Sequence, residues 1–129
     1  MKLLLDTHVL LWFLQDDPRL SPIAKAIIED RTNQKLVSIA TGWEISIKAG
    51  LKKLNLREPV SVFLPRELSA NNFELLGIEL AHALYVETLP PHHKDPFDRM
   101  LIAQALLETI PIVSADALFD SYGVTRLWS

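Results

Sequence analysis

Four acidic side chains, spread over more than a hundred residues, carry the chemistry this sequence could perform. Asp6 interrupts the apolar run "LLLDTHVLLW" (residues 3–12), Glu44 lies in "TGWEISIKAG", Asp98 in "DPFDRM" and Asp116 at the end of "IPIVSAD". Taken singly, three of them have ordinary local uses. Asp116 is a good helix N-cap, as is the nearby Asp95, each contributing about 1 kcal/mol. Asp98 and Glu44 lie in first helical turns, where the helix dipole favours negative charge, and Glu44 can also pair with Lys48 four residues on. Asp6 has no such local account, because an ionised carboxylate costs several kcal/mol to bury without a partner. If the four converge, their mutual repulsion raises their pKa values and destabilises the fold unless a cation neutralises them. The chain has no cysteine, so such a cation would be held by oxygen or imidazole, which suits a hard ion such as Mg²⁺ or Mn²⁺. Two such ions about 4 Å apart are a recurrent clamp for in-line attack of water on a phosphodiester. Hydrolysis of nucleic acid follows as an expectation.

The acids can converge only if the elements around them place them on one edge. Residues 2–5 lack polar alternation and read as a short strand buried on both faces, as in a parallel sheet covered by helices. Asp6 then stands where that strand ends. Ser21 and Pro22 open a helix in "LSPIAKAIIEDR" as N-cap and first helical residue. Residues 35–39 read as a second strand, followed by a helix over 41–50 capped by Thr41 and closed by Gly50. A helix over 58–70, a strand over 73–78 and a helix over 79–89 follow, ending before Pro90 and Pro91. His92 and His93 then mark a loop. Asp95, Pro96 and Asp98 open a long helix over 95–109 as N-cap, first residue and capping-box acid. Residues 110–116 read as a strand, 117–123 as a short helix closed by Gly123, and 124–128 as a last strand. Strands alternating with helices imply an α/β protein, a three-layer α/β/α sandwich with a mostly parallel central sheet. Folds of this kind bind ligands beyond the C-terminal ends of their strands, the edge on which Asp6, Glu44, Asp98 and Asp116 would meet.

Composition bounds the remaining possibilities. The 129 residues suit one domain spanning 1–129, and with 49% apolar and 22% charged residues the chain is of ordinary globular type. No apolar run reaches the ~20 residues of a membrane span, and Asp6 cuts short any signal-peptide core, so a cytoplasmic location is expected. The net charge of −3 argues against a protein that coats nucleic acid through bulk positive potential. Lys48, Lys52, Lys53 and Arg57 nevertheless form a local basic stretch, either a solvated helix end or a track for phosphates. Met100 to Leu107 is apolar on nearly every side, more than one core face requires, and part of it could bury against another chain.

Several other residues invite chemistry. His8 beside Asp6 could be a ligand or an acid–base group, but the expectation is a packed or capped residue. His92, His93 and Lys94 could bind a transition metal; with no third imidazole nearby they are expected to be solvated. Trp12, Trp43 and Trp128 could stack on bases, although core and dimer packing is the simpler expectation. Two rival functions compete with hydrolysis. An aspartyl-phosphate enzyme with Asp6 as nucleophile would usually show a second acid two residues on, where this chain has His8. An inert interaction module would use the acids as helix caps alone and bind no metal.

In order and spacing, "LLLDTHVLLW", "VSIATGWEISIKAG", "HHKDPFDRMLIAQA" and "IVSADALFDSYGV" resemble the signature blocks of the PIN-domain family, specifically its bacterial VapC-type toxins. The resemblance covers essentially the whole chain. It implies a compact α/β/α sandwich, Mg²⁺- or Mn²⁺-dependent ribonuclease activity, a homodimer, and a cognate VapB-type antitoxin that inserts a segment near the active site. Carried over by motif position, the metal-binding and catalytic acids would be Asp6, Glu44, Asp98 and Asp116, with Asp95 as second choice in its block. Ser114 falls where the family commonly has Thr or Ser and would orient a metal-bound water or an acid. Thr7 and Arg99 would touch phosphate, and Lys48, Lys52 and Lys53 the RNA backbone. Gly42 departs from the pattern, standing where a bulkier or polar residue is more usual, and is expected to loosen the turn before Glu44.

Overall fold

The computed structural model describes residues 1–129. Five strands, β1 (Lys2–Leu5), β2 (Gln34–Ser38), β3 (Glu74–Leu76), β4 (Ile112–Val113) and β5 (Arg126–Leu127), form one sheet in the order β3-β2-β1-β4-β5. Every neighbouring pair is parallel, so the sheet is parallel throughout. Six α-helices connect it: α1 (Thr7–Leu14), α2 (Pro22–Glu29), α3 (Ile39–Gly50), α4 (Val60–Ala70), α5 (Leu80–Tyr85) and α6 (Pro96–Glu108). Short 3₁₀ turns cover Val86–Thr88 and Ala117–Tyr122. No helix is long and apolar enough to cross a membrane.

Alternation along β1 explains the three layers. Leu3 and Leu5 point into a core with Val9, Leu10, Ala24, Ile28, Ile45 and Leu64, supplied by α1 to α4. Leu4 points the other way, against Leu101, Ile102, Ala105 and Phe119 from α6 and the 117–122 turn. All three leucines are fully buried, each burial contributing about 1.5–3 kcal/mol. That wedge fixes the end of β1, and with it Asp6. The Asp6 N–H continues the ladder onto the Val113 carbonyl at 3.0 Å, which sets Asp6 beside Ser114.

The chain winds from β1 outward to β2 and β3, then returns to the other side of β1 for β4 and β5. The order therefore reverses between β1 and β4. In open α/β sheets this switch point opens a crevice beyond the strand ends, and Asp6 and Asp116 lie on either side of it.

Most element boundaries follow the sequence signals, and the departures have physical reasons. Ser21 accepts from the Ala24 N–H, with Pro22 as the first residue of α2. Helix α3 begins three residues earlier than a Thr41 cap would place it, because Ser38 at the end of β2 accepts from the Ala40 N–H and acts as the cap. Gly50 is its last helical residue, and the positive φ after it belongs to Lys52, at 59°. Gly42 therefore lies inside α3 and loosens no turn; a Cβ there would meet Leu64 at 3.6 Å, an ordinary contact. The segment predicted as one helix over 79–89 is split into α5 and the 3₁₀ turn, with the ring of His82 accepting from the Glu79 N–H at 3.0 Å. Helix α6 buries Leu101 to Ala105 within this fold and exposes Leu107, so most of its apolar girth is used by the sheet and α5.

Candidate active site

Asp6 is buried, with Oδ2 accepting the Ser114 hydroxyl at 2.8 Å and Oδ1 hydrogen-bonded to nothing. Burial pushes its carboxyl above the usual range; the Ser114 hydrogen bond opposes that, and the charge of Glu44 adds to it. Ser114 is the hinge of the arrangement. Its Oγ also accepts the Asp116 backbone N–H at 3.0 Å, so one hydroxyl ties the end of β1 to the segment after β4.

Glu44 enters from the second turn of α3 and is also buried. The i, i+4 spacing works as predicted, with Lys48 Nζ donating to Oε2 at 2.6 Å. The other oxygen, Oε1, has no partner. Beside Glu44, and facing Asp95 and Asp98 as well, Lys48 is held in its charged form, its pKa raised first by the Glu44 hydrogen bond.

Asp98 does not close the capping box that its place in α6 predicts. Asp95 alone caps the helix, accepting from the Phe97 N–H at 2.8 Å. The Asp98 carboxyl is pushed up to about 7, first by burial and then by the charges of Asp95, Asp6 and, more weakly, Glu44. Burial leads, and the charges of the neighbouring acids add to it. Asp116 caps the 117–122 turn, Oδ1 accepting from the Leu118 N–H at 3.0 Å, while Oδ2 receives His93 Nε2 at 2.7 Å. Oxygens of Asp98 and Asp116 and a ring nitrogen of His93 all lie within 4.8 Å of one another.

The PIN-domain family model matches residues 3–124 of this chain. The chain belongs to the PIN-domain family. PIN domains are generally nucleases, so membership carries that activity at the level of the family. The fold is shared with solved toxin–antitoxin assemblies. VapBC2 from Rickettsia felis, bound to a DNA fragment from its promoter, is 16% identical with a TM-score of 0.74 over 100% of both chains. VapBC-1 from nontypeable Haemophilus influenzae is 15% identical with a TM-score of 0.66, covering 98% of this chain and 97% of the other. FitAcB from Neisseria gonorrhoeae is 19% identical with a TM-score of 0.65, covering 97% and 96%. A comparison with curated protein sequences gives no match.

PIN-family members typically use a divalent metal, and the residues at this site fit one. Buried carboxylate oxygens ordinarily have a hydrogen-bond partner; here Asp6 Oδ1 and Glu44 Oε1 have none, beside an Asp98 whose charge is disfavoured by its neighbours. His93, Asp98 and Asp116 are close enough to share an ion, Asp6 and Glu44 act on Asp98 through their charges, and an oxygen-rich donor set suits a hard ion.

Other residues of this PIN domain stand differently from their expected places. Thr7 is buried, its hydroxyl paired with that of Thr41 at 3.0 Å, joining α1 to α3. Arg99 is committed to the loop before α6. Its guanidinium donates to the carbonyls of Pro90 at 2.9 Å, Val86 at 3.0 Å and Leu89 at 3.2 Å. Lys52 and Lys53 lie exposed past the end of α3, and Lys52 and Arg57 line, with Glu58, a groove of about 630 Å³ to which Asp6, Glu44, Asp98 and Asp116 do not contribute. His8 is exposed rather than packed or capped, its ring 5.9 Å from that of Trp12. Trp43 is not core either. It is 62% exposed and meets Phe97 edge-on at 5.2 Å, while Trp12 and Trp128 pack against the core.

His93 is the residue whose sequence setting misled most. Adjacent histidines after two prolines read as solvated, yet the His93 side chain is 8% exposed and bonded at both ring nitrogens. His92 is exposed, with its ring edge-on to Tyr122.

Proposed function

We propose that this PIN domain is a Mg²⁺- or Mn²⁺-dependent endoribonuclease, the toxin of a toxin–antitoxin pair acting in the cytoplasm. Asp6, Glu44, Asp98 and Asp116 would hold the metal, with Asp95 an outer charge beside them. The observation that carries this reading is the pair of buried, unpartnered carboxylate oxygens on Asp6 and Glu44 beside an Asp98 driven up to about 7.

When bound, the metal supplies electrophilic activation of the scissile phosphate and lowers the pKa of an attacking water. The protein's own residues do the positioning. Ser114 holds one oxygen of Asp6 and leaves the other free; Lys48 does the same for Glu44. Lys48 supplies a positive charge to Glu44 at 2.6 Å. The exposed ammonium groups of Lys52 and Lys53 and the guanidinium of Arg57 serve the phosphate backbone, contacts that position RNA without reading its sequence.

Partnership with a VapB-type antitoxin is supported by the VapBC and FitAcB assemblies that share the fold. Homodimerisation is supported by exposed apolar side chains at helical spacing, Ile39, Trp43 and Ile47 on α3 and Leu80 and Leu84 on α5.

Incubating the purified protein with total RNA, with and without EDTA, tests the activity. Cleavage in Mg²⁺ or Mn²⁺ is expected to stop with EDTA. Because water rather than the ribose hydroxyl attacks, mapped ends are expected to lack 2′,3′-cyclic phosphate. Cleavage that persists in EDTA, or yields cyclic phosphate, contradicts the proposal.

A further inference from the structure

We propose that His93 is a positioning residue that fixes the orientation of Asp116 at the metal centre, and that Tyr122 in turn fixes His93. This rests on the reading of Asp116 as a metal-binding acid, and it assigns His93 no place among the ligands.

With a neutral ring, the hydrogen bonds around His93 fit a single tautomer. An ionised carboxylate can only accept, so the 2.7 Å contact between Nε2 and Asp116 Oδ2 places the ring proton on Nε2. Nδ1 of the neutral ring is then an acceptor, and the Tyr122 hydroxyl, 2.9 Å away, donates to it. The same hydroxyl oxygen accepts the His93 backbone N–H at 2.7 Å. Every group is satisfied once, and neither ring nitrogen has a lone pair directed at Asp98. The ring packs edge-on to Phe119 at 5.0 Å, and Arg99 holds the carbonyls of the loop leading into it.

Asp116 needs this support more than Asp6 or Glu44. Asp6 and Glu44 are walled in by the core, but the Asp116 side chain is 41% exposed. Its carboxylate plane is set by two hydrogen bonds, the Leu118 N–H on Oδ1 and His93 on Oδ2. A partner that orients a ligating group commonly matters 10- to 100-fold in metal affinity.

The test is Mn²⁺ titration of the metal-free full chain, followed by the electron paramagnetic resonance of free Mn²⁺. His93→Ala is expected to weaken binding about tenfold or more, whereas His93→Gln, whose amide can donate from the place of Nε2, stays within about threefold of the starting protein. Tyr122→Phe, which removes one hydroxyl and keeps the ring packing, is expected to weaken binding by an intermediate factor, and it carries the test if His93→Ala proves unfolded by circular dichroism. Unchanged affinity in Tyr122→Phe together with a folded His93→Ala overturns the proposal. So does a Gln variant as weak as the Ala variant, or a nitrogen coupling to bound Mn²⁺ that disappears in His93→Ala, which would make the ring a ligand. If the starting protein binds no Mn²⁺ at all, the metal-centre reading falls, and this proposal with it.

Discussion

Replacing Asp6 with Asn is expected to cut RNA cleavage by about 100-fold or more while leaving the protein folded and no less stable. The amide is nearly isosteric and its oxygen can still accept from Ser114, so the tie between β1 and β4 survives. What is lost is the negative charge, and with it the oxygen that faces the site without a partner. Stability does not fall because burial already disfavours the ionised form of Asp6; removing a poorly compensated buried charge relieves that cost. A loss of cleavage caused by unfolding would look different, with a lowered melting temperature and an altered circular dichroism spectrum. Full activity in a folded Asp6→Asn protein would discard Asp6 as a metal-binding acid.

The second large effect is an inverted dependence of stability on pH in the absence of metal. Asp98 titrates at about 7 in the folded chain against an ordinary value of 3.8, and Asp6 is shifted in the same direction. The folded state therefore binds more protons than the unfolded state between those values. Stability from these groups is fully present below their unfolded pKa and is lost as pH rises through their folded pKa. Asp17, Asp30, Glu58 and Asp120 are shifted downward, so their opposite contribution is confined to pH below the ordinary carboxylate value. In EDTA, denaturant unfolding at pH 5 is expected to require about 1–2 kcal/mol more than at pH 7.5, a figure already reduced for the partial solvent screening of Asp98. Saturating Mn²⁺ should reverse the order. At 100 times its dissociation constant it stabilises by about 2.7 kcal/mol, and it does so at pH 7.5, where the acids are ionised, far more than at pH 5. Stability that rises from pH 5 to 7.5 in EDTA and ignores Mn²⁺ would show that the acids are isolated caps.

Local signals were enough to place most elements. Ser21 with Pro22, and Asp95 with Pro96, open α2 and α6 as their residue types predict, and the unbroken Leu3–Leu5 run announces a strand buried on both faces. Sequence erred where two local readings compete. Ser38 and Thr41 are both good caps, and only the length of β2 decides for Ser38. At the site, Asp6 was legible because nothing local explains an acid in an apolar run. Glu44 and Asp98 were legible only as members of a set. Long-range partners were hidden: Thr7 meets Thr41 across 34 residues, and His93 meets Tyr122 across 29 and Asp116 across 23. No pattern in a loop of two prolines and two histidines carries that information. Arg99 looked like a phosphate contact for a related reason, since its carbonyl acceptors are set by how the preceding loop folds back over α6.

In the proposed centre, acids from the end of β1, α3, α6 and the segment after β4 share one divalent cation. Diffraction from crystals soaked in Mn²⁺, recorded at the manganese absorption edge, tests it most directly. An anomalous peak is expected in contact with Asp6 Oδ1 and Glu44 Oε1 or their bridging waters, and with Asp98 and Asp116. A well-ordered site without a peak, or manganese bound elsewhere while these carboxylates stay apart, would contradict it.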